Sequence, residues 1–366
     1  MIVEYHMIQN FAPSNLNRDD TNNPKDCEFG GVRRARISSQ CIKRAIRTEP
    51  VFSETTQMPS GERTRWLAAE IKKELTKQGK DEEQSQKKAD AFIGALLGGM
   101  DSGNSQRSKV LFYIGDEEKK HITEAIIKDW DSNDDKKYED LVKEYKKTFS
   151  NRSSAPDIAL FGRMLADDPK LNIDAACQVA HAISTHRVNM EVDFFTAVDD
   201  LLDEDQSGAG MMGITGFNSA CFYRYANIHW EQLVENLGGD KALAERTAEA
   251  FIRASILAVP SGKQNTFAAH NPPSFMMVIV RDDGANWSLA NAFEKPVYAG
   301  NKTSLTEASM MAIDHYWGNL KRVFGGEQKM AVLILDGGLN LENLSEFAVE
   351  DTDALIQTAL QAIRQA

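Results

Sequence analysis

The sequence predicts an α+β fold whose sheet core is interrupted twice. Three observations predict it. Strand and helix patterns alternate at both ends of the chain. Residues from about 50 to 186 carry helical periodicity, and residues after 187 switch to a two-residue period.

The elements follow in order. Residues 2–9 are rich in β-formers and read as a first strand. Residues 10–26 contain Asn-Arg-Asp-Asp and Asn-Asn-Pro-Lys-Asp, which is loop chemistry. Residues 30–37 read as a strand with a basic face, and Ser38-Ser39 opens a helix over 40–47. Leu67, Ile71 and Leu75 recur at i, i+4 and i+8. Similar apolar stripes through 84–98, 117–131, 136–149 and 174–184 predict one helical insertion. Val188, Met190, Val192, Phe194, Thr196 and Val198 then share one strand parity, and 217–228 is a second, aromatic-rich strand run. Gly208, Gly210 and Gly213 lie between them, so the pair reads as a long hairpin with a glycine-rich tip. A helix over 243–258, a strand over 275–280, a helix over 304–324, a strand over 330–335 and a final helix complete the core.

Composition bounds the function. The chain has 366 residues, about two domains' worth or one large domain with insertions. Lys+Arg is 42 against 54 acids, a formal net charge of −12, which excludes a domain basic overall. Cysteines stand at 27, 41, 177 and 221 with no CxxC pair, which speaks against a zinc ribbon and a disulfide framework. The longest apolar runs are about six residues, far below the ~20 that span a bilayer. A reduced, cytoplasmic protein with no membrane partner is expected.

The cations are concentrated. Residues 25–47 hold seven Lys/Arg (Lys25, Arg33, Arg34, Arg36, Lys43, Arg44, Arg47) against Asp26 and Glu28, a local net charge of +5. At 100° per residue, Ile42, Ala45 and Ile46 fall on one arc of the helix, and Gln40, Lys43, Arg44 and Arg47 on the opposite arc. Ser38 and Ser39 sit at the N-terminus, where unpaired N–H groups and the helix dipole favour an anion. The pattern is a phosphate track, or a solvated basic face balanced by acids elsewhere. Phe194 and Phe195 point to opposite faces of one strand, so at most one can be core. An exposed ring beside a basic groove can stack on a base.

These residues also carry a family resemblance. Residues 16–20 (LNRDD), Lys25-Asp26, 29–31 (FGG), Arg33-Arg34, 36–40 (RISSQ) and Lys43-Arg44 closely resemble CasC, the repeated backbone subunit of the type I-E CRISPR surveillance complex Cascade. Further matches are 158–164 (IALFGRM), 180–183 (AHAI), 195–200 (FTAVDD), 222–228 (FYRYANI), 236–239 (NLGG) and 290–295 (ANAFEK).

The resemblance implies an RRM-like (ferredoxin-like) palm over 1–49 and 223–366, a helical fingers insertion over 50–186 and a β-hairpin thumb over 187–222. It implies a crRNA-binding subunit that polymerises head to tail with copies of itself beside other Cascade subunits. Each thumb kinks the guide at regular intervals, and the remaining bases pair with a target DNA strand. Arg18, Lys25, Ser38, Gln40, Lys43, Arg44 and Arg47 then match RNA-backbone contacts. Met164, Phe194, Phe195, Thr196 and Val198 match the surroundings of the displaced base. Phe194 stands where the family has Trp. Lys136, Lys137 and Lys143 are what remains of a lysine patch for DNA, interrupted by Glu139 and Asp140.

No cofactor, metal or catalytic residue is expected. The rival is an RRM-like CRISPR endoribonuclease. His181 and His186 are five apart, which does not align two ligands on one helix face, and the apolar run around His181 predicts a core histidine. No P-loop or HExxH motif occurs. The acids Asp199, Asp200, Asp203, Glu204 and Asp205 read as a solvated hairpin flank.

Overall fold

The computed structural model describes residues 1–366 except 132–134, 167, 199–208, 283–284, 337 and 366. It forms two units. One comprises Met1–Glu49, Val179–Asn227 and Phe251–Ala366; the other comprises Pro50–Gln178 and Ile228–Ala250. The first unit thus takes residues 179–186, read from sequence as the end of the fingers, and the second takes 228–250, read as palm.

The first unit is built on an antiparallel sheet. Its strands lie in the order Lys329–Ile334, Phe275–Arg281, Ile2–Ser14, Ala209–His229, Ala182–Ser184, Val32–Ile37 and Asp26–Phe29. Four of them, Phe275–Arg281, Ile2–Ser14, Ala209–His229 and Ala182–Ser184, are the split βαβ order of a ferredoxin-like fold. Ile2 pairs with Arg281 and Ile8 with Phe275. Residues Ile2 to Ile8 are buried at every position, so both faces of the sheet are covered. One face (Ile8, Tyr223, Tyr225, Met277, Ile279) packs against Met310, Ile313 and Trp317 of helix Leu305–Phe324. That helix starts where Ser304 and Glu307 form a capping box.

Several buried polar groups on this sheet pair with one another. Glu4 and Arg281 meet at 2.7 Å, both fully buried. Glu4 also accepts from Tyr225 Oη at 2.9 Å and from the Trp287 N–H at 2.6 Å. The Arg281 guanidinium lies 3.7 Å from the Trp287 ring centroid. His6 Nδ1 and Tyr223 Oη share a hydrogen bond at 2.9 Å, and burial pushes the His6 pKa down to about 3. It is a neutral core imidazole, unsuited to acid–base work near neutrality.

The run 174–184, read as helical from its apolar residues, is instead strands Cys177–Val179 and Ala182–Ser184. Ladder partners override local pattern here. Ile183 pairs with both Arg36 and Tyr223, which lie far away in sequence.

Arg34 departs from the expected cationic ridge. It is fully buried and donates to the carbonyls of Phe29, Ser184, Phe293 and Glu294. The turn that feeds it needs glycine. Gly30 has φ +62°, and an added Cβ would lie 1.7 Å from the Glu294 carbonyl oxygen. Gly30→Ala should therefore cost more than the ~1–2 kcal/mol of a left-handed residue alone, read as a lower melting temperature. An unchanged melting temperature would contradict this packing.

The second unit has helices Leu67–Lys77, Glu82–Leu97, Asp116–Lys128 and Asp135–Thr148 around a core that includes Ile71, Phe92, Ile122 and Tyr145. Asp81 caps the second of these and Gly98 ends it in the left-handed region. Two small ribbons, Glu62–Thr64 with Phe112–Ile114 and Met100–Asp101 with Asn104–Ser108, break the helical pattern read from sequence. At the centre, Arg163 and Glu118 pair at 2.6 Å with side chains 1% and 0% exposed. Glu118 also accepts from Tyr145 Oη (2.8 Å) and the Gly115 N–H (2.9 Å).

Candidate nucleic-acid interface

The basic helix, Ser39–Thr48, is fixed by its own sequence. Ile42 and Ile46 are buried four residues apart. Ser38 is the N-cap, and its Oγ accepts from the Cys41 N–H at 3.3 Å. The Ser38 N–H donates to Asn17 Oδ1 at 2.8 Å. Ser38 therefore sits 6% exposed, holding the helix mouth from below. Gln40 and Arg44 are exposed, and Lys43 and Arg47 are half-exposed. The polar arc expected from sequence is the outward face.

A folded loop brings Arg18 and Lys25 to this unit's surface. Asp19 Oδ1 accepts from the Thr21 N–H, the Thr21 hydroxyl and the Asn23 N–H at 2.9, 2.8 and 3.0 Å. These bonds, the Thr21 hydroxyl foremost, hold its carboxyl below the usual range. The Lys25 N–H donates to the Asn17 carbonyl (2.8 Å), and the Arg36 N–H donates to the Lys25 carbonyl (2.9 Å). Asn17 thus ties the loop to the helix, since its side chain holds Ser38. Arg18 is exposed and Lys25 half-exposed.

His181 is not a core residue. It is exposed, and its Nδ1 lies 3.2 Å from the Ser39 N–H and 3.3 Å from Arg36 Nη1. Burial, Arg36 and Lys25 all oppose a second proton and hold its pKa below the usual value. The apolar run 174–184 suits helix or strand equally, which conceals this position in the sequence. His186 is engaged elsewhere: Nδ1 meets the Arg187 carbonyl at 2.8 Å, and Nε2 accepts from the Cys221 N–H at 3.2 Å. Among the described residues, no group of three or more His, Cys, Asp or Glu could hold a metal ion.

The hairpin pairs Glu191–Val198 with Ala209–His229. Phe194 faces Ile214, Phe195 faces Gly213 and Thr196 faces Met212. Neither Phe is core: Phe194 is 60% exposed and Phe195 41%. A Cβ on Gly213 would lie 2.3 Å from the Phe195 ring, so the ring lies across the glycine and fills its missing side chain. On the other face Val192, Phe194, Met212 and Ile214 form an exposed apolar row with Thr196. At its base Asn15 Nδ2 donates to the Gly216 carbonyl at 2.9 Å, tying the hairpin to the loop of Arg18. The Val198 side chain, the tip over 199–208 and its acids lie outside the described residues.

In the second unit, Met164 is 86% exposed. It follows Arg163, whose burial anchors the turn. Lys143 is exposed and pairs with Asp140 at 2.8 Å; the Lys136 and Lys137 side chains lie outside the described residues. Among the described residues, no helix is long and apolar enough to cross a membrane.

Known proteins are similar to this chain. One solved chain, from a structure described as a CRISPR RNA-guided surveillance complex, pre-nicking, shares 31% identity and a TM-score of 0.85. The match covers 99% of this chain and 100% of that one. Another, from a structure described as a CRISPR RNA-guided surveillance complex, shares 28% identity and a TM-score of 0.65 over 99% and 100%. No curated protein matches. The family model for CT1975-like protein matches residues 3–362, nearly the whole chain, and the chain therefore belongs to the CT1975-like family of Cas proteins.

Proposed function

We propose that this chain is a crRNA-binding backbone subunit of a type I-E CRISPR interference complex. One observation carries the reading. In a protein of net charge −12, a capped helix buries Ile42 and Ile46 and turns Gln40, Lys43, Arg44 and Arg47 outward, in the same unit as the Arg18 and Lys25 loop. Such a row meets phosphates and leaves bases free. The exposed apolar row of the hairpin supports a wedge beside a displaced base. Copies of the chain assemble head to tail on the guide, a contact that propagates as an open helix. Other subunits of the complex and a target DNA strand complete the partners. Target sequence is read by base pairing rather than by protein side chains. The subunit works in the cytoplasm and cuts no RNA.

Purification of the full chain from cells carrying a CRISPR array tests this. A short RNA of uniform length should co-purify at moderate salt. Recovery of protein free of RNA would overturn the reading. Cleavage of precursor RNA by the pure protein, lost in His181→Ala, would replace it with an endoribonuclease.

A further inference from the structure

The imidazole of His181 occupies an unusual place. Its Nδ1 faces two donors, the Ser39 N–H at 3.2 Å and Arg36 Nη1 at 3.3 Å. A nitrogen approached by two donors must offer a lone pair, so the ring proton resides on Nε2. Arg36 has only donors to offer, and it is held in turn by its Nε bond to the Asp26 carbonyl at 3.2 Å. The ring is thereby locked in orientation and tautomer, with Nε2–H on its far edge in an exposed residue.

Its surroundings show what that proton could meet. Three first-turn N–H groups of the basic helix lack an intrahelical partner. The Cys41 N–H is taken by Ser38 Oγ and the Ser39 N–H by His181, while Gln40 is exposed. Lys25 acts electrostatically on the His181 ring, and Arg36 touches it. A neutral donor of fixed direction therefore stands among cations at the positive end of a helix.

We infer that His181 is a further RNA-contact residue, donating its Nε2–H to a non-bridging phosphate oxygen of the bound strand. The inference rests on the RNA-binding reading above and adds a residue of a different kind. Lys and Arg bind phosphate by charge and release counterions. A neutral imidazole contributes a hydrogen bond of fixed direction without changing the charge count, so its loss weakens affinity and leaves the salt slope alone.

Two substitutions separate contact from scaffolding. His181→Asn keeps an acceptor where Nδ1 stands and removes the far N–H. His181→Gln can place an amide N–H where Nε2–H stands. Binding of the purified full-length chain to a fluorescein-labelled single-stranded RNA is measured across a salt series, with melting temperatures alongside. The Asn variant should bind roughly tenfold more weakly, with an unchanged slope of log K against log salt. The Gln variant should bind within about threefold of the parent. Wild-type affinity in the Asn variant would overturn the inference. So would equal losses in both variants, a changed slope, or a lowered melting temperature that accounts for the loss. If Lys43→Ala with Arg47→Ala weakens binding while His181→Asn does not, this inference alone fails. If neither weakens it, the RNA reading fails.

Discussion

Changing Lys43 and Arg47 together to Ala should weaken binding to single-stranded RNA by roughly tenfold near physiological salt. Each phosphate neutralised on a single strand contributes about −0.7 to the slope of log K against log salt, so two contacts contribute about −1.4. The loss should be equal for every RNA sequence, because charge on the backbone carries no base information. The helix itself should survive. Its seam is Ile42 and Ile46, its cap is Ser38, and Ala has the highest helix propensity. Circular dichroism confirms folding, and a salt titration by fluorescence anisotropy gives both quantities. An intact protein with an unchanged slope would remove the basic helix from the interface.

Arg163→Ala should cost the second unit about 3–5 kcal/mol. Removing one member of a buried ion pair strands the other in a low-dielectric interior. Glu118 would keep Tyr145 Oη and the Gly115 N–H but lose its cation. The carbonyls of Leu171 and Tyr113, now served by Arg163 Nε and Nη1, would lose donors as well. Against a typical total of ~5–15 kcal/mol, that loss leaves little. The double change Arg163→Met with Glu118→Gln should be milder than the sum of the single changes, since no charge remains uncompensated. Urea titrations of all variants measure it, and a cost below about 1 kcal/mol for Arg163→Ala would show the pair to be solvated in solution.

Local signals were legible and distant ones were not. The basic helix declared itself because cap, seam and charged arc lie within about ten consecutive residues. The first strand of the hairpin was legible from its period, but its partner is 209–217 rather than the 217–228 read from sequence, which runs on into the main sheet, and neither Phe is core. The neighbourhood of His181 was not, because 174–184 is apolar enough to suit helix or strand, and its partners are Arg36, Ile37, Phe222 and Tyr223. Taking it as a helix placed His181 in the core and concealed its bond to Ser39. The local charge run places Arg34 with the ridge for the same reason. Nothing near residue 34 announces that the carbonyls of Phe293 and Glu294 will bury it. Asn17 stood out as part of the LNRDD motif and of a turn-rich stretch, but neither signal announced that it joins loop to helix.

The buried guanidinium of Arg34 also bears on how the molecule is made. It needs acceptors at positions 29, 184, 293 and 294. A ribosome emitting ~5–20 residues per second reaches the last of these roughly 12–50 s after the amino-terminal strands emerge. Throughout that interval the nascent amino terminus carries a cation without its carbonyl cage and apolar strands without their sheet neighbours. In that window the exposed apolar strand edges are open to aggregation, because the contacts that cover them have not yet been synthesised.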